Sequence, residues 1–247
     1  MEKGILDVPG WMGHYRKLKT PAYLAALEYP GVLDDLTSPS RLGQDATSYI
    51  PEPSPSLSFW EVASAQDPRP HIVHEGIPGH FFQLALSWGQ PDPIRRHYFD
   101  SGPIEGLGFY AEELMLQFGL FDDAPHTLEI LYRFMRLRAL RVAADIKLAR
   151  GEFSIEDAAR YLATTVPMDE ATAREEAVFF ASNPGQAISY QVGKIQILRF
   201  LTDARTAQGA KFDLKEFHNS LWKNGNVPIA LQRWEALGRD DEVRMLW

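Results

Sequence analysis

The 247-residue chain contains no cysteine. Disulfides and thiolate ligands are therefore excluded, and any metal site has to be built from its seven histidines and its carboxylates. Basic charge is also in short supply: 25 Lys and Arg against 33 Asp and Glu give a net charge of −8. No basic patch is dense enough to neutralise a phosphate backbone, so nucleic acid is not an expected partner. No apolar run reaches the roughly 18 residues of a membrane span. The start, Met1-Glu-Lys-Gly leading to Pro9-Gly10, lacks the apolar stretch of a signal peptide, so a cytoplasmic location without membrane contact is the expectation. Long alternating Val- and Ile-rich runs are scarce, which argues against a large sheet. What remains is 45% hydrophobic residues and 12% aromatics, ample for one packed unit.

The chain divides by texture. Residues 1–70 read as an irregular, Pro-rich region packing on the main domain. It holds a helical patch from Pro21 to Tyr29 and an extended run at Pro51-Glu-Pro-Ser-Pro55, and a short hairpin near Ser48 to Phe59 is compatible with it. Residues 71–247 read as a helical, metal-binding catalytic domain. Helices are expected from the motif segment to Trp88, then over Pro103 to Phe118, Thr127 to Arg150, Ile155 to Ala163 and Glu170 to Ala181. Three more follow, over Gln186 to Ala207, Leu214 to Lys223 and Pro228 to Leu237. Ser154 with Asp157, and Asp213 with Glu216, carry the spacing of a capping box. The fold class that follows is mostly α.

The densest chemistry lies in His74-Glu-Gly-Ile-Pro-Gly-His80. Helical zinc hydrolases use HExxH, in which two histidines one turn apart bind the metal and the glutamate is the general base. Here the second histidine comes two residues late. On a regular helix His74 and His80 would lie about 240° apart and could not share an ion. Pro78, which lacks an N–H, and Gly79, which tolerates unusual dihedrals, supply a reason for the helix to distort between them. A catalytic zinc takes a third protein ligand. Glu105, Glu112 and Glu113 lie on the next expected helix, Glu105 and Glu112 on one face. Glu105 is the preferred ligand, because Gly106 and Gly108 allow close approach, while the other acid could brace a histidine from behind. An acid in the first turn of a helix is also favoured simply by the helix dipole.

Four ordered blocks carry a resemblance: HEGIPGHFFQ, EGLGFYAEE, Asn183-Pro-Gly-Gln-Ala-Ile-Ser-Tyr-Gln-Val-Gly193 and Phe212-Asp-Leu-Lys-Glu-Phe-His218. Together they resemble the bacterial domain of unknown function 885 family, over about Ser38 to Leu237 and corresponding to the C-terminal part of its longer members. Membership would imply a zincin-like, mostly helical metallopeptidase fold with His74, His80 and Glu105 on the metal and Glu75 as base. It would also imply that a homo-oligomer or a partner subunit replaces the missing N-terminal half. Two departures stand out: Phe81 follows His80 where the family often has a second histidine, and no histidine is found near Ala149.

The expected activity is zinc-dependent hydrolysis of amide or peptide bonds, with Glu75 taking the proton of a metal-bound water and the substrate a peptide or other small amide. Two imidazoles and a carboxylate suit zinc, and iron is the alternative metal. Tyr190 is the candidate oxyanion donor, or else a core tyrosine with a tied hydroxyl, and Gln186 lies near it for substrate. Arg133, Arg136, Arg138 and Arg141 read chiefly as a helix-surface ion-pair network, with Arg141 and Asp145 as i, i+4 partners. Arg141 is also the candidate to bind a substrate carboxylate. His71, His14, His97 and His126 read as structural or surface residues, and His218 as a packing histidine. The competing functions are a non-proteolytic biosynthetic enzyme on the same scaffold and a catalytically silent binding or assembly module.

Overall fold

The computed structural model describes residues 4–25, 33–50, 52 and 54–245. It is mostly helical, as the sequence predicts. Near the N-terminus three short strands form a sheet in the order β1-β3-β2: β1 (Tyr15–Lys19) runs parallel to β3 (Ala46–Ile50), and β2 (Leu33–Asp35) antiparallel to it. The hairpin expected near Ser48 to Phe59 is thus a strand paired to earlier segments, and regular structure replaces much of the irregular stretch expected up to residue 70. Of the helical patch at Pro21 to Tyr29, α1 (Ala22–Ala25) is described and the rest lies outside the described residues, as do Pro51 and Pro53 of the extended run.

α2 (Phe59–Gln66) is a further helix the composition hid. Ser58 and Glu61 close a reciprocal capping box at its start, and the Phe59 amide donates to Asp169 at 2.8 Å. After α3 (Arg69–His71) comes a π-helical turn, Ile72–Gly76. The chain then breaks: Ile77 is extended, the Ile77–Pro78 bond is cis, and α4 (His80–Trp88) starts afresh at the second histidine. The short α5 (Pro93–His97) leads to α6 (Ser101–Gln117), capped by Asp100. α7 (Pro125–Ala149) has Pro at its first position, where the missing N–H costs no helix hydrogen bond.

α8 (Ile155–Thr165) opens with the Ser154/Asp157 capping box read from sequence. α9 (Glu170–Ser182) and α10 (Gln186–Gln208) follow. α11 (Leu214–Lys223) is capped by Asp213, whose side chain accepts from the Lys215 and Glu216 amides. α12 (Ile229–Leu237) and α13 (Asp241–Arg244) complete the chain.

The helices pack around two large buried clusters, with a smaller one at Val73, Ala111, Phe121 and Leu131. Phe81, Phe82, Leu107, Tyr110, Ile197, Leu221 and Trp222 join α4, α6, α10 and α11. Phe59, Phe134, Leu137, Leu162, Ala173 and Ala177 join α2, α7, α8 and α9. α6 and α10 touch backbone to backbone: a methyl on Gly193 would stand 1.9 Å from the Gly102 carbonyl oxygen, and one on Gly106 would stand 2.6 Å from Gly193. Histidine 218 is a packing residue, as expected, with Nδ1 on the Ile5 carbonyl and Nε2 on the Tyr110 hydroxyl, both at 2.8 Å. The carbonyl can only accept, so Nδ1 carries the proton and Nε2 accepts from the phenol. Among the described residues no helix is long and apolar enough to cross a membrane.

Candidate metal centre

The motif packs against α6 and α7, where His74 meets Glu112 and Arg138. A methyl on Gly79 would fall 1.7 Å from the His74 carbonyl oxygen, so only glycine lets the chain fold back this tightly. Trp222 holds the turn by donating to the Pro78 carbonyl at 2.6 Å. From outside, Tyr15 of β1 lies over Gly76 and packs on Phe81, with ring centres 6.1 Å apart. The break brings His74 and His80 together with ring centres 4.7 Å apart. The distortion expected from Pro78 and Gly79, a kink or a widened turn, is present as a π turn followed by a helix restart.

α6 brings the carboxylates. Glu105 Oε2 is 3.4 Å from His80 Nε2 and 3.7 Å from His74 Nε2, yet it is buried with no hydrogen-bond partner. Donors around a tetrahedral zinc at 2.0–2.1 Å sit roughly 3.4 Å apart, so the three atoms have the spacing of an ion's coordination edges. The residues fit the metal. Glu75 is also close, its Oε1 3.9 Å from His74 Nε2, and donor atoms of His74, Glu75 and His80 fall within 4.8 Å of one another. The two acids differ in position: Glu75 lines an open cleft, and Glu105 faces the two Nε2 atoms without being part of that cleft's wall.

A second row fixes the first. His74 Nδ1 meets Glu112 Oε1 at 2.7 Å, and Arg138 grips both Glu112 oxygens at 2.6 and 2.7 Å. Glu112 is thus the bracing acid, and Gly108, one turn before it, makes room for the His74 ring, which a methyl there would meet at 2.7 Å. Burial opposes ionisation of Glu112, but Arg138 and His74 outweigh it and hold the carboxyl below its usual range. Burial likewise works against a charged His74, but Glu105 and Glu112 pull its pKa up to about 9. Glu105 is held well below the carboxylate range because both imidazoles outweigh its burial. Gln186, expected at the substrate, instead donates to Glu105 Oε1 at 3.1 Å and positions it. Tyr190 stacks on His74, with rings 6.3 Å apart and 16° from parallel. Burial and the Glu105 carboxylate raise its phenol pKa and keep it protonated.

The surface ion-pair network expected on α7 is corrected. Arg133 and Arg136 are exposed, but Arg138 and Arg141 are buried at the site. Asp145 does not pair with Arg141; its two oxygens accept the Gly185 and Ala187 amides at 2.9 Å and cap α10. Sequence reasoning missed Arg138 as the clamp on Glu112, and Glu176, Trp60 and Phe134 as walls. The missed signal was helical phase: 134, 137, 138, 141 and 145 share one face of α7. The cleft beside the motif holds about 300 Å³, lined also by His71, which was expected to be a loop or surface residue, and by Phe179.

A model of the family described as bacterial protein of unknown function (DUF885) matches residues 38–234. The chain belongs to that family. The match takes in most of the chain. Among solved structures, this DUF885 chain is similar to a putative lipoprotein from Colwellia psychrerythraea, at 23% identity and a TM-score of 0.81, covering 97% of this chain and 40% of that one. It is also similar to a putative lipoprotein of unknown function from Shewanella oneidensis, at 20% identity and a TM-score of 0.72, covering 95% and 42%. At these identities the likeness is one of fold, and the chain spans about two fifths of the length of either neighbour. No curated protein matches. Both neighbours are described as putative lipoproteins, a finding that contradicts the expectation of a cytoplasmic location.

Proposed function

We propose that this DUF885 chain is a zincin-like, metal-dependent hydrolase of amide or peptide bonds, with zinc as its metal and iron the alternative. One observation carries it: a buried carboxylate oxygen of Glu105 faces the Nε2 atoms of His74 and His80 at coordination spacing, with a second carboxylate, Glu75, on the cleft side. His74, His80 and Glu105 would hold the ion. When bound, zinc supplies Lewis acidity, which polarises a carbonyl and brings the pKa of water to roughly 7.

The chain's own residues do the rest. Glu75 accepts the proton of the attacking water and returns it to the leaving amine. Tyr190, protonated at neutral pH, donates to the oxyanion without adding net charge. Glu112 and Arg138 keep His74 oriented with Nε2 inward. A cleft of about 300 Å³ is at the small end of ligand sites, which favours short amides over long peptides. The same size supports a second reading, non-proteolytic chemistry on a small molecule. The lipoprotein description of the structural neighbours supports action outside the cytoplasm.

The experiment measures metal content of protein purified without added metal, then amide hydrolysis by wild type and Glu75→Gln. We expect about one zinc per chain in both and a loss of turnover of about 10²- to 10⁴-fold in the variant. Metal-free protein that takes up no zinc overturns the proposal.

A further inference from the structure

Arg141 is not used by the hydrolytic step. It is 4% exposed and forms part of the cleft wall. A guanidinium buried so deeply needs partners for its five N–H donors. Arg138, one turn earlier, gives two short contacts to the Glu112 oxygens, although its Nε too is buried without a partner. Arg141 gives one hydrogen bond, Nη1 to Glu176 at 3.2 Å, longer than a good charge-assisted contact, and its Nε is buried without a partner. Its guanidinium carbon lies 4.0 Å from the centre of the Tyr190 ring, and that ring stacks on His74. The donors of Arg141 are thus one aromatic ring away from the candidate metal centre.

We propose, building on the hydrolase reading, that Arg141 anchors a free carboxylate of the substrate, so that the protein acts on amide bonds close to a carboxyl terminus: N-acyl amino acids and short peptides cut from their C-terminal end. The planar fork of an arginine matches a carboxylate bidentately, and an arginine with a single long contact has donors to give. The guanidinium is 4.0 Å from the Tyr190 ring centre and that ring 6.3 Å from His74, so a carboxylate on Arg141 leaves a span of one or two extended residues, at about 3.3–3.6 Å each, to the candidate metal centre. The same cleft is lined by Trp60, Phe134 and Phe179, with ring centres of Trp60 and Phe134 4.9 Å apart, aromatic walls suited to a hydrophobic terminal side chain. A cleft of this size holds a chain end more readily than a peptide passing through. Glu176 neutralises Arg141 until a substrate carboxylate joins it.

The test pairs two ligands that differ only at the terminus. Zinc-loaded protein is titrated calorimetrically with N-acetyl-phenylalanine and with its amide, and turnover is compared on benzyloxycarbonyl-glycyl-phenylalanine and its C-terminal amide. We expect the acid to bind at least about tenfold tighter and to be hydrolysed about 100-fold more efficiently, the worth of one charged bidentate contact. In Arg141→Gln, and in Arg141→Gln/Glu176→Gln, which leaves no carboxylate buried without its cation, both ratios fall to within about threefold. Far-UV circular dichroism checks that the double variant is folded. Equal binding of acid and amide by wild type, or a preference retained in the double variant, overturns the proposal. It then leaves Arg141 as a tie between α7 and α9, or the carboxylate on the metal. Hydrolysis of both substrates at equal efficiency sinks the carboxylate site and spares the hydrolase. Arg141-dependent binding of the acid without any hydrolysis does the reverse.

Discussion

Glu112 shows how much one side chain can carry. It is fully buried, holds His74 by one oxygen and is gripped by Arg138 on both. Glu112→Gln removes the charge but not the shape, leaving Arg138 as an uncompensated buried cation. We expect a loss of about 3 kcal/mol, the low end for breaking a buried pair, and a fall in zinc affinity of about 10- to 100-fold. A urea midpoint and a zinc competition titration measure the two. His218 gives a pH signature away from the metal. Burial pushes its pKa below the usual value, with the Ile5 carbonyl opposing only in part. The fold therefore prefers the neutral ring: stability is fully present above the unfolded value of about 6.5 and is lost as pH falls below it toward the folded value. Denaturation midpoints from pH 8 down to about 5 should drop more steeply in wild type than in His218→Phe, which is less stable throughout but has no ring to charge. Parallel slopes would remove His218 as the cause.

At the scale of elements, the two glycine-lined helices set the site. Gly193 is in the interior of α10, where alanine would ordinarily gain about 1 kcal/mol. Its added methyl would instead meet the Gly102 carbonyl at 1.9 Å, forcing α6 away and taking Glu105 and Glu112 with it. We expect Gly193→Ala to be net destabilising by about 1–3 kcal/mol, read as a lowered urea midpoint; a more stable variant would contradict the contact. The Ser154/Asp157 capping box and most helix limits were legible because they are local: the two residues are three apart and need no other part of the chain, whereas Asp213 caps α11 without a return bond from Glu216. The restart of the helix at His80 was legible in cause, through Pro78 and Gly79, but its form depends on Tyr15 and Trp222 packing from either side. α2 was not legible, since its capping signal sits directly after a proline-rich run.

At the scale of the whole molecule, the candidate ligands come from three segments: the π turn, α4 and α6. An ion that binds them only when assembled adds its binding energy to the fold. At zinc concentrations about 100-fold over the dissociation constant the gain is about 2.7 kcal/mol, which for a chain of this length is roughly 5–10 °C in melting temperature. Differential scanning fluorimetry should show that rise with zinc, its reversal by a chelator and no comparable effect of magnesium. A melting temperature indifferent to zinc would count against the site. The cytoplasmic expectation failed for a different reason: it rested on the chain's first residues, and the lipoprotein description of proteins sharing the fold goes against it.

Sequence alone determined the helical class, the motif and the need for a break at Pro78-Gly79, and it singled out Glu105 as a candidate ligand, because each follows from spacing along one or two helices. The tertiary structure decided what Glu112, Arg138, Arg141, Gln186 and Glu176 do. Their partners lie 26 to 81 residues away on other helices, and a charged side chain on a helix has no readable role until packing fixes whether it faces water or a buried countercharge.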